Sequence, residues 1–111
     1  MSDAKLETMI RGWFVGNFEP TAFKTDACEV GCKTYLAGEK EERHFHRIAT
    51  EVTLILNGRV RMNGVEKSTG DIVIIEPLVS TDFEVIEDTT TVVVKIPGAI
   101  NDKYLGKSET E

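Results

Sequence analysis

Turn-forming residues divide this chain into short segments at close spacing, and this pattern is the strongest constraint on its fold. Asn57-Gly58, Asn63-Gly64, Thr69-Gly70-Asp71, Glu87-Asp88 and Pro97-Gly98 separate runs rich in β-branched and aromatic residues. No stretch has the period of an amphipathic helix. The pattern predicts roughly seven or eight short strands in an all-β sandwich or barrel. At 111 residues, the chain has the length of one domain, residues 1–111.

The same pattern predicts the bounds of several strands and of the two tails. A strand is expected near residues 29–36, and Asn57-Gly58 is expected to end the strand that precedes it. The continuous apolar run 72–75 is typical of a strand buried on both faces. Separate strands are expected at 81–86 and 89–96. The polar ends, residues 1–7 and 106–111, are expected to be loose tails.

The two histidines of the chain lie close together, and a glutamate follows them. His44 and His46 are separated by one residue, and Glu51 comes five residues after His46. On a strand, alternate side chains share a face, so both imidazoles would point the same way. The residues between His46 and Glu51 suffice for a turn, which would bring Glu51 back beside them. Two neutral imidazoles and a carboxylate suit a divalent transition metal.

The spacing around these residues resembles the first signature motif of the cupin superfamily. Gly38, five residues, His44, one residue, His46, four residues, Glu51, six residues and Gly58 match that motif at each fixed position. Cupins are small β-barrels of jelly-roll type, and in many of them these two His and the Glu bind a metal. The resemblance implies a cupin-type jelly-roll β-barrel with Fe, Mn, Ni or Zn held by His44, His46 and Glu51.

The second cupin motif is incomplete in this chain. Its counterpart begins at Gly70, and Thr81 stands where the family has a histidine that is the fourth metal ligand. A site with three protein ligands leaves coordination positions for water or substrate. Five residues are further candidates for the pocket wall: Tyr35, Arg61, Glu76, Thr81 and Asp82.

The sequence leaves three functions open. In the first, a metal-binding cupin acts on a small oxygen-rich metabolite by isomerase- or dioxygenase-type chemistry, with His44 and His46 in the catalytic centre. In the second, a metal-free cupin isomerises keto-sugar nucleotides with His44 or His46 as general base, while Tyr35 or Arg61 orients the substrate. In the third, a non-catalytic cupin binds a small ligand.

Charge and hydropathy limit the partners. The net charge is −6, so the protein's field repels phosphate backbones and anionic membrane surfaces. The first twelve residues have no apolar core of signal-peptide length, and no segment is long enough to span a membrane. We therefore expect a cytoplasmic protein without nucleic-acid or membrane partners. The resemblance to small cupins also implies a homodimer built by β-sheet packing.

Overall fold

A computed structural model describes residues 1–111 and confirms the prediction of an all-β fold. A single 3-10 turn covers Leu6–Thr8, and all other regular elements are strands. The eight strands are β1 (Trp13–Val15), β2 (Glu29–Tyr35), β3 (Lys40–Phe45), β4 (Thr50–Met62), β5 (Val65–Ser68), β6 (Ile72–Ile75), β7 (Thr81–Ile96) and β8 (Tyr104–Leu105). None of the structure's helical segments has the length and apolar character needed to span a membrane.

Two long strands, β4 and β7, connect both halves of the antiparallel sheet. The C-terminal part of β7 lies between β2 and the N-terminal part of β4, which also pairs with β6. The N-terminal part of β7 pairs with β3, and the C-terminal part of β4 pairs with β5. Because both long strands belong to both halves, the sheet folds over on itself and encloses an interior.

The prediction that Asn57-Gly58 ends a strand was wrong. β4 continues from Thr50 to Met62, and the register with β7 shifts around Gly58. Gly58 has φ +117°, and a Cβ at this position would lie 2.3 Å from Oγ1 of Thr89. The two segments expected at 81–86 and 89–96 likewise form one strand. The turn signals mark irregularities at which the long strands bend, because a bulge interrupts pairing without ending the strand.

The interior has an apolar end and a polar end. The apolar core comprises six buried side chains: Ile55, Val60, Met62, Ile75, Phe83 and Val85. Toward the other end, the inward positions of β2, β7 and β4 become polar, and they include Lys33, Thr91 and Glu51. Polar side chains in the interior require partners or a ligand, so this end is where we expect function.

The run Ile72-Val73-Ile74-Ile75 was predicted to be buried on both faces, and the isolated chain shows a different arrangement. Ile75 belongs to the core, whereas Ile72 and Ile74 are 63% and 61% exposed. The strand lies at the margin of the sheet beside β4, with one side facing the interior and one side facing outward. The outward side is apolar without being covered.

The C-terminal residues make specific contacts, although the sequence predicts a loose tail at 106–111. The Ser108 hydroxyl donates a 2.6 Å hydrogen bond to the carbonyl of Leu78. Backbone N–H groups of Ser80 and Ser108 donate to the Glu111 carboxylate at 3.0 and 2.8 Å. These hydrogen bonds lower the pKa of Glu111 to about 2. The segment is thereby attached to the loop before β7.

Substituting Gly12 by alanine is expected to destabilise the fold strongly. Gly12 has φ +82°, and a Cβ there would lie 1.9 Å from the carbonyl oxygen of Cys32. The backbone N–H of Cys32 also donates to the Gly12 carbonyl at 3.0 Å, so the two segments cannot move apart freely. We expect Gly12→Ala to lower the free energy of unfolding by about 3 kcal/mol, as measured by urea denaturation.

Gly64→Ala is the matched control for this substitution. Gly64 also has positive φ, +77°, but no atom lies within 4 Å of the added Cβ. Its expected cost is about 1 kcal/mol from backbone strain alone. Equal losses for the two variants would show that the close approach to Cys32 has no energetic consequence.

Candidate metal centre

The three residues that the sequence analysis singles out lie together at the polar end of the interior. His44 is in β3, His46 directly follows it, and Glu51 is near the start of β4. One ligand atom of each residue lies within 4.8 Å of the others. The two imidazole rings are edge to face, with centroids 5.4 Å apart. The residues therefore converge, as the strand–turn–strand prediction requires.

The hydrogen bonds around the two imidazoles determine which nitrogen atoms can bind a metal ion. Nδ1 of His44 lies 2.9 Å from the carbonyl oxygen of Glu42. Because a carbonyl only accepts hydrogen bonds, Nδ1 carries the proton of the neutral ring, and Nε2 keeps its lone pair. This is the way in which an outer hydrogen bond fixes the tautomer of a metal-binding histidine.

His46 contains a buried nitrogen atom without a partner. The residue is 4% exposed, and its Nε2 atom has no hydrogen-bond partner. Burial lowers the pKa of His46 to about 4, with further lowering by the charges of Lys95 and His44. The imidazole is therefore neutral at pH 7. An unpaired buried polar atom is costly, and a metal ion would satisfy it.

Glu51 supplies the anionic ligand. The hydroxyl of Thr53, two residues further along β4, donates a 2.9 Å hydrogen bond to Oε2 of Glu51. This contact orients the carboxylate and leaves Oε1 without a side-chain donor. Two neutral imidazoles with one oriented carboxylate fit Fe, Mn, Ni or Zn by ligand type. Such an ion would be held by His44, His46 and Glu51.

Asp102 holds the turn between the histidines and Glu51. The residue is 3% exposed, and its carboxylate accepts hydrogen bonds from the backbone N–H groups of Arg47, Ile48 and Ala49, at 2.9 to 3.2 Å. Burial alone would raise the pKa of Asp102, but these three donors outweigh it, and the pKa lies below its usual value. The backbone that carries His46 is thus fixed by a residue far away in sequence.

A cavity of about 380 Å³ opens beside the triad. Two of the predicted pocket residues, Tyr35 and Thr81, line it. Thr81 is paired with His44 in the register of β7 with β3, so a hydroxyl is adjacent to that imidazole. The Tyr35 hydroxyl donates a 3.1 Å hydrogen bond to Glu41. Burial, followed by the nearby charge of Glu41, raises the pKa of Tyr35, which keeps its proton at neutral pH.

The other three predicted pocket residues do not line the cavity. Arg61 alternates with the inward Val60 and Met62, and its guanidinium lies 3.5 Å from Glu84. Glu76 is exposed after β6. Asp82 is on the opposite side of β7 from Thr81, where it pairs with Arg43 at 3.3 Å and accepts from the Asn63 backbone. Strand alternation directs the side chains of Arg61 and Asp82 away from the interior.

The residues that give the cavity its positive charge and its aromatic wall are not among the pocket residues predicted from the sequence. Lys33 and Lys95 line it, and their ammonium nitrogens lie 5.6 and 4.9 Å from the centre of the Trp13 ring. The Trp13 ring rests on Gly31, where a Cβ would approach within 2.8 Å of it. Lys33 is two residues before Tyr35, so strand alternation gave a signal for it. The position of Lys95 in the cavity depends on the register of β7 against β4, which the sequence does not show.

Comparisons with known proteins agree on the fold. No protein-family model matches the chain, and no curated protein matches it by sequence. Among solved structures, a protein with a double-stranded beta-helix domain from Klebsiella pneumoniae subsp. pneumoniae MGH 78578 has TM-score 0.67 and 22% identity, covering 76% of this chain and 74% of that one.

Two structures with biochemical names are also similar. The structure of KdgF from Halomonas sp. has TM-score 0.59 and 18% identity, covering 66% of this chain and 72% of that one. DMSP lyase DddQ from Ruegeria pomeroyi DSS-3 has TM-score 0.67 and 21% identity, covering 89% of this chain and 52% of that one. The chain thus matches about half the length of the lyase. At these identities the likeness concerns the fold.

Proposed function

Because the chain has the double-stranded β-helix fold of the cupins, we propose that it is a metal-dependent enzyme. His44, His46 and Glu51 hold a divalent transition metal, Fe, Mn, Ni or Zn, and the substrate is a small oxygen-rich metabolite. The main support for this proposal is the buried Nε2 atom of His46, which has no hydrogen-bond partner. This atom belongs to a group of three side chains that could bind a metal ion. Isomerase- or dioxygenase-type chemistry fits a site with open coordination positions.

The bound metal would act as a Lewis acid toward an oxygen atom of the substrate. The chain's own residues provide the remaining functions. The Tyr35 hydroxyl stays protonated and, with Glu41, places a polar pair in the cavity wall. Met62, Phe83 and Val93 line the same cavity and reduce the access of water. Thr53 and Asp102 orient the ligands, one through the Glu51 carboxylate and the other through the turn after His46.

Removal of the His44 imidazole tests the proposal. Metal-reconstituted protein is assayed with small hydroxy-carbonyl compounds, keto-sugar nucleotides and small carboxylates as substrates. Loss of both metal and turnover in His44→Ala supports the metal-dependent enzyme. A metal-free wild type that turns over and loses only its activity on substitution would instead indicate acid–base catalysis by histidine. Absence of turnover with ligand-dependent stabilisation would indicate a binding protein.

Glu51→Gln and Glu66→Gln form a matched pair for the same assay. Both glutamates lie on strands, but Glu66 is exposed on β5 and has no part in the cavity. We expect Glu51→Gln to lose most of its metal, because the amide replaces the anionic ligand. We expect Glu66→Gln to retain the wild-type metal content.

We also infer that two copies of the chain pack through the outer face of the sheet. Positions that alternate with the cavity residues are apolar on neighbouring strands, with Val52 beside both Ile74 and Val94, and Leu54 beside both Ile72 and Val92. Val30 and Cys32 extend this outer apolar face onto β2. None of these eight side chains is charged, and contiguous exposed apolar side chains of this kind mark interaction sites. Because this face is self-complementary in chemistry, a second copy is the occupant that we expect.

Aspartates on the outer apolar face should produce monomers. Light scattering should give the wild type twice the mass of one 12.4 kDa chain. Ile72→Asp with Ile74→Asp should give one chain mass, because burying two carboxylates in an apolar interface is strongly unfavourable. Val65→Asp is the control, since Val65 is also exposed but lies on β5, away from this face. A monomeric wild type would overturn the inference.

A further inference from the structure

Lys95 is an unneutralised cation next to the metal ligands. In the register of the sheet, Lys95 of β7 lies between Glu51 of β4 and Glu29 of β2. Directly opposed residues on one face have Cβ atoms about 5 Å apart. Even so, Lys95 forms none of the ion pairs in the structure, all of which have nitrogen–oxygen distances of 4.0 Å or less. Its ammonium group lies instead over the face of the Trp13 ring.

Lys33, in contrast to Lys95, has a carboxylate partner in this cavity. Its ammonium lies over the same indole ring, but it also pairs with Glu41 at 3.5 Å, and its side chain is 20% exposed. Lys95 lines the same cavity without such a pair. Of the two lysines whose ammonium groups lie over the Trp13 ring, Lys95 is therefore the one without a carboxylate partner.

The net charge of the cavity lining is positive when the residues that form ion pairs are left out. Four acidic and four basic residues line the cavity: Glu19, Glu29, Glu41, Glu51, Arg11, Lys33, Lys95 and Lys103. Glu41 pairs with Lys33, and Glu19 pairs with Lys24 outside the cavity. Glu51 would be occupied by the metal. Glu29 is then the one unassigned carboxylate against three cations, Lys95, Arg11 and Lys103, and against the charge of +1 that a divalent ion and Glu51 would have together.

The single charge of Glu51 cannot balance both a divalent ion and Lys95, so these two cations repel each other unless a further anion lies between them. We propose that Lys95 selects an anionic ligand, a small carboxylate that pairs with its ammonium group while an oxygen atom of the same ligand reaches the metal. The ammonium and carboxylate make a charge-assisted hydrogen bond, and the indole of Trp13 shields it from water. This inference rests on the proposed function, because it places the ligand between Lys95 and the ion held by His44, His46 and Glu51.

The test compares carboxylates with their neutral amides. Binding of lactate and malonate, and of lactamide and malonamide, is measured by titration calorimetry on metal-loaded protein. The wild type should bind at least one of the acids, at least about tenfold more tightly than its amide. Lys95→Met should reduce acid binding to the level of the amide and should retain one metal per chain. Lys95→Arg should restore most of the preference, because it restores the charge.

Lys67→Met is the control, since Lys67 is a half-buried lysine on β5 that does not line the cavity. It should bind the acids like the wild type. The inference is overturned if Lys95→Met binds the acids as tightly as the wild type, if acids and amides bind alike, or if no acid binds at about 10 mM.

Measuring the metal content of each sample distinguishes a failure of the anion site from a failure of the metal site. A wild type without metal, in which Lys95→Met still abolishes lactate binding, would overturn the metal site and the contact of the ligand with the metal, but would support the pairing of the carboxylate with Lys95. A metal-loaded wild type whose carboxylate binding does not depend on Lys95 would support the metal site and overturn the anion site.

Discussion

Saturation with a divalent metal is expected to stabilise the wild-type protein strongly. At a free metal concentration about 1,000-fold above Kd, the free energy of unfolding should rise by about 4 kcal/mol, because the ion binds the folded site and not the unfolded chain. The folded site is already arranged for it: Nε2 of His46 is buried without a partner, and Nδ1 of His44 is engaged by Glu42. Thermal and urea unfolding, with and without a chelator, measure this difference.

His46→Leu separates stability from metal binding. In metal-free protein it should be neutral or stabilising, because it removes a buried nitrogen that has no hydrogen-bond partner. It should also abolish the response to metal, which Glu66→Gln should retain. If His46→Leu strongly destabilised the metal-free protein, the imidazole would be a structural core group. If it kept the full metal response, His46 would not be a ligand.

Asp102→Ala is expected to be among the most destabilising single substitutions outside the apolar core. It leaves three backbone N–H groups, of Arg47, Ile48 and Ala49, without their acceptor in a buried turn. Hydrogen bonds to a charged group contribute more than neutral ones, so we expect a loss of about 3 kcal/mol in the free energy of unfolding. Because this turn joins His46 to Glu51, metal affinity should fall with it, by about tenfold or more.

Asp88→Ala is the matched control for Asp102. The Asp88 carboxylate accepts one exposed hydrogen bond, 2.8 Å from the backbone N–H of Ala37. Its loss should cost about 1 kcal/mol or less and leave metal affinity unchanged. Similar losses in stability and metal affinity for the two variants would contradict a special role for Asp102.

The acid dependence of stability provides a second readout for Asp102. Its folded-state pKa lies below the usual value, so its contribution is fully present above about pH 5 and is lost as the pH falls through the folded-state pKa. Asp102→Asn removes this titration. The difference in stability between the wild type and Asp102→Asn should therefore decrease in acid. A difference that stays constant down to pH 2 would show that the carboxylate charge does not contribute.

Local sequence patterns predicted the fold class and the convergence of the triad. Alternation on β3, and a short turn before β4, suffice to bring His44, His46 and Glu51 together, because all three lie within eight residues of one another. Turn residues marked most strand ends, but a glycine bulge and a glycine turn look alike in sequence. Only the pairing with β7 distinguishes Gly58 from a true strand end.

The features that the sequence did not predict depend on contacts between residues far apart in the chain. Asp102 caps a turn more than fifty residues before it, and no local signal connects the two. Lys95 reaches the cavity because β7 pairs with β4 at Glu51. Ile72 and Ile74 appeared to be core residues because hydrophobicity does not show whether an apolar face is covered by the same chain. Thr81 replaces the expected fourth ligand, yet it still lines the cavity beside His44.

Elemental analysis tests the metal site most directly. The wild type is purified without a chelator or a nickel affinity step, reconstituted in turn with Fe, Mn, Ni and Zn, and compared with a His44→Ala, His46→Ala double variant. One ion per wild-type chain, and none in a folded double variant, is the predicted result. Equal metal content in the two proteins, or no metal in the wild type after reconstitution, would contradict a metal centre at His44, His46 and Glu51.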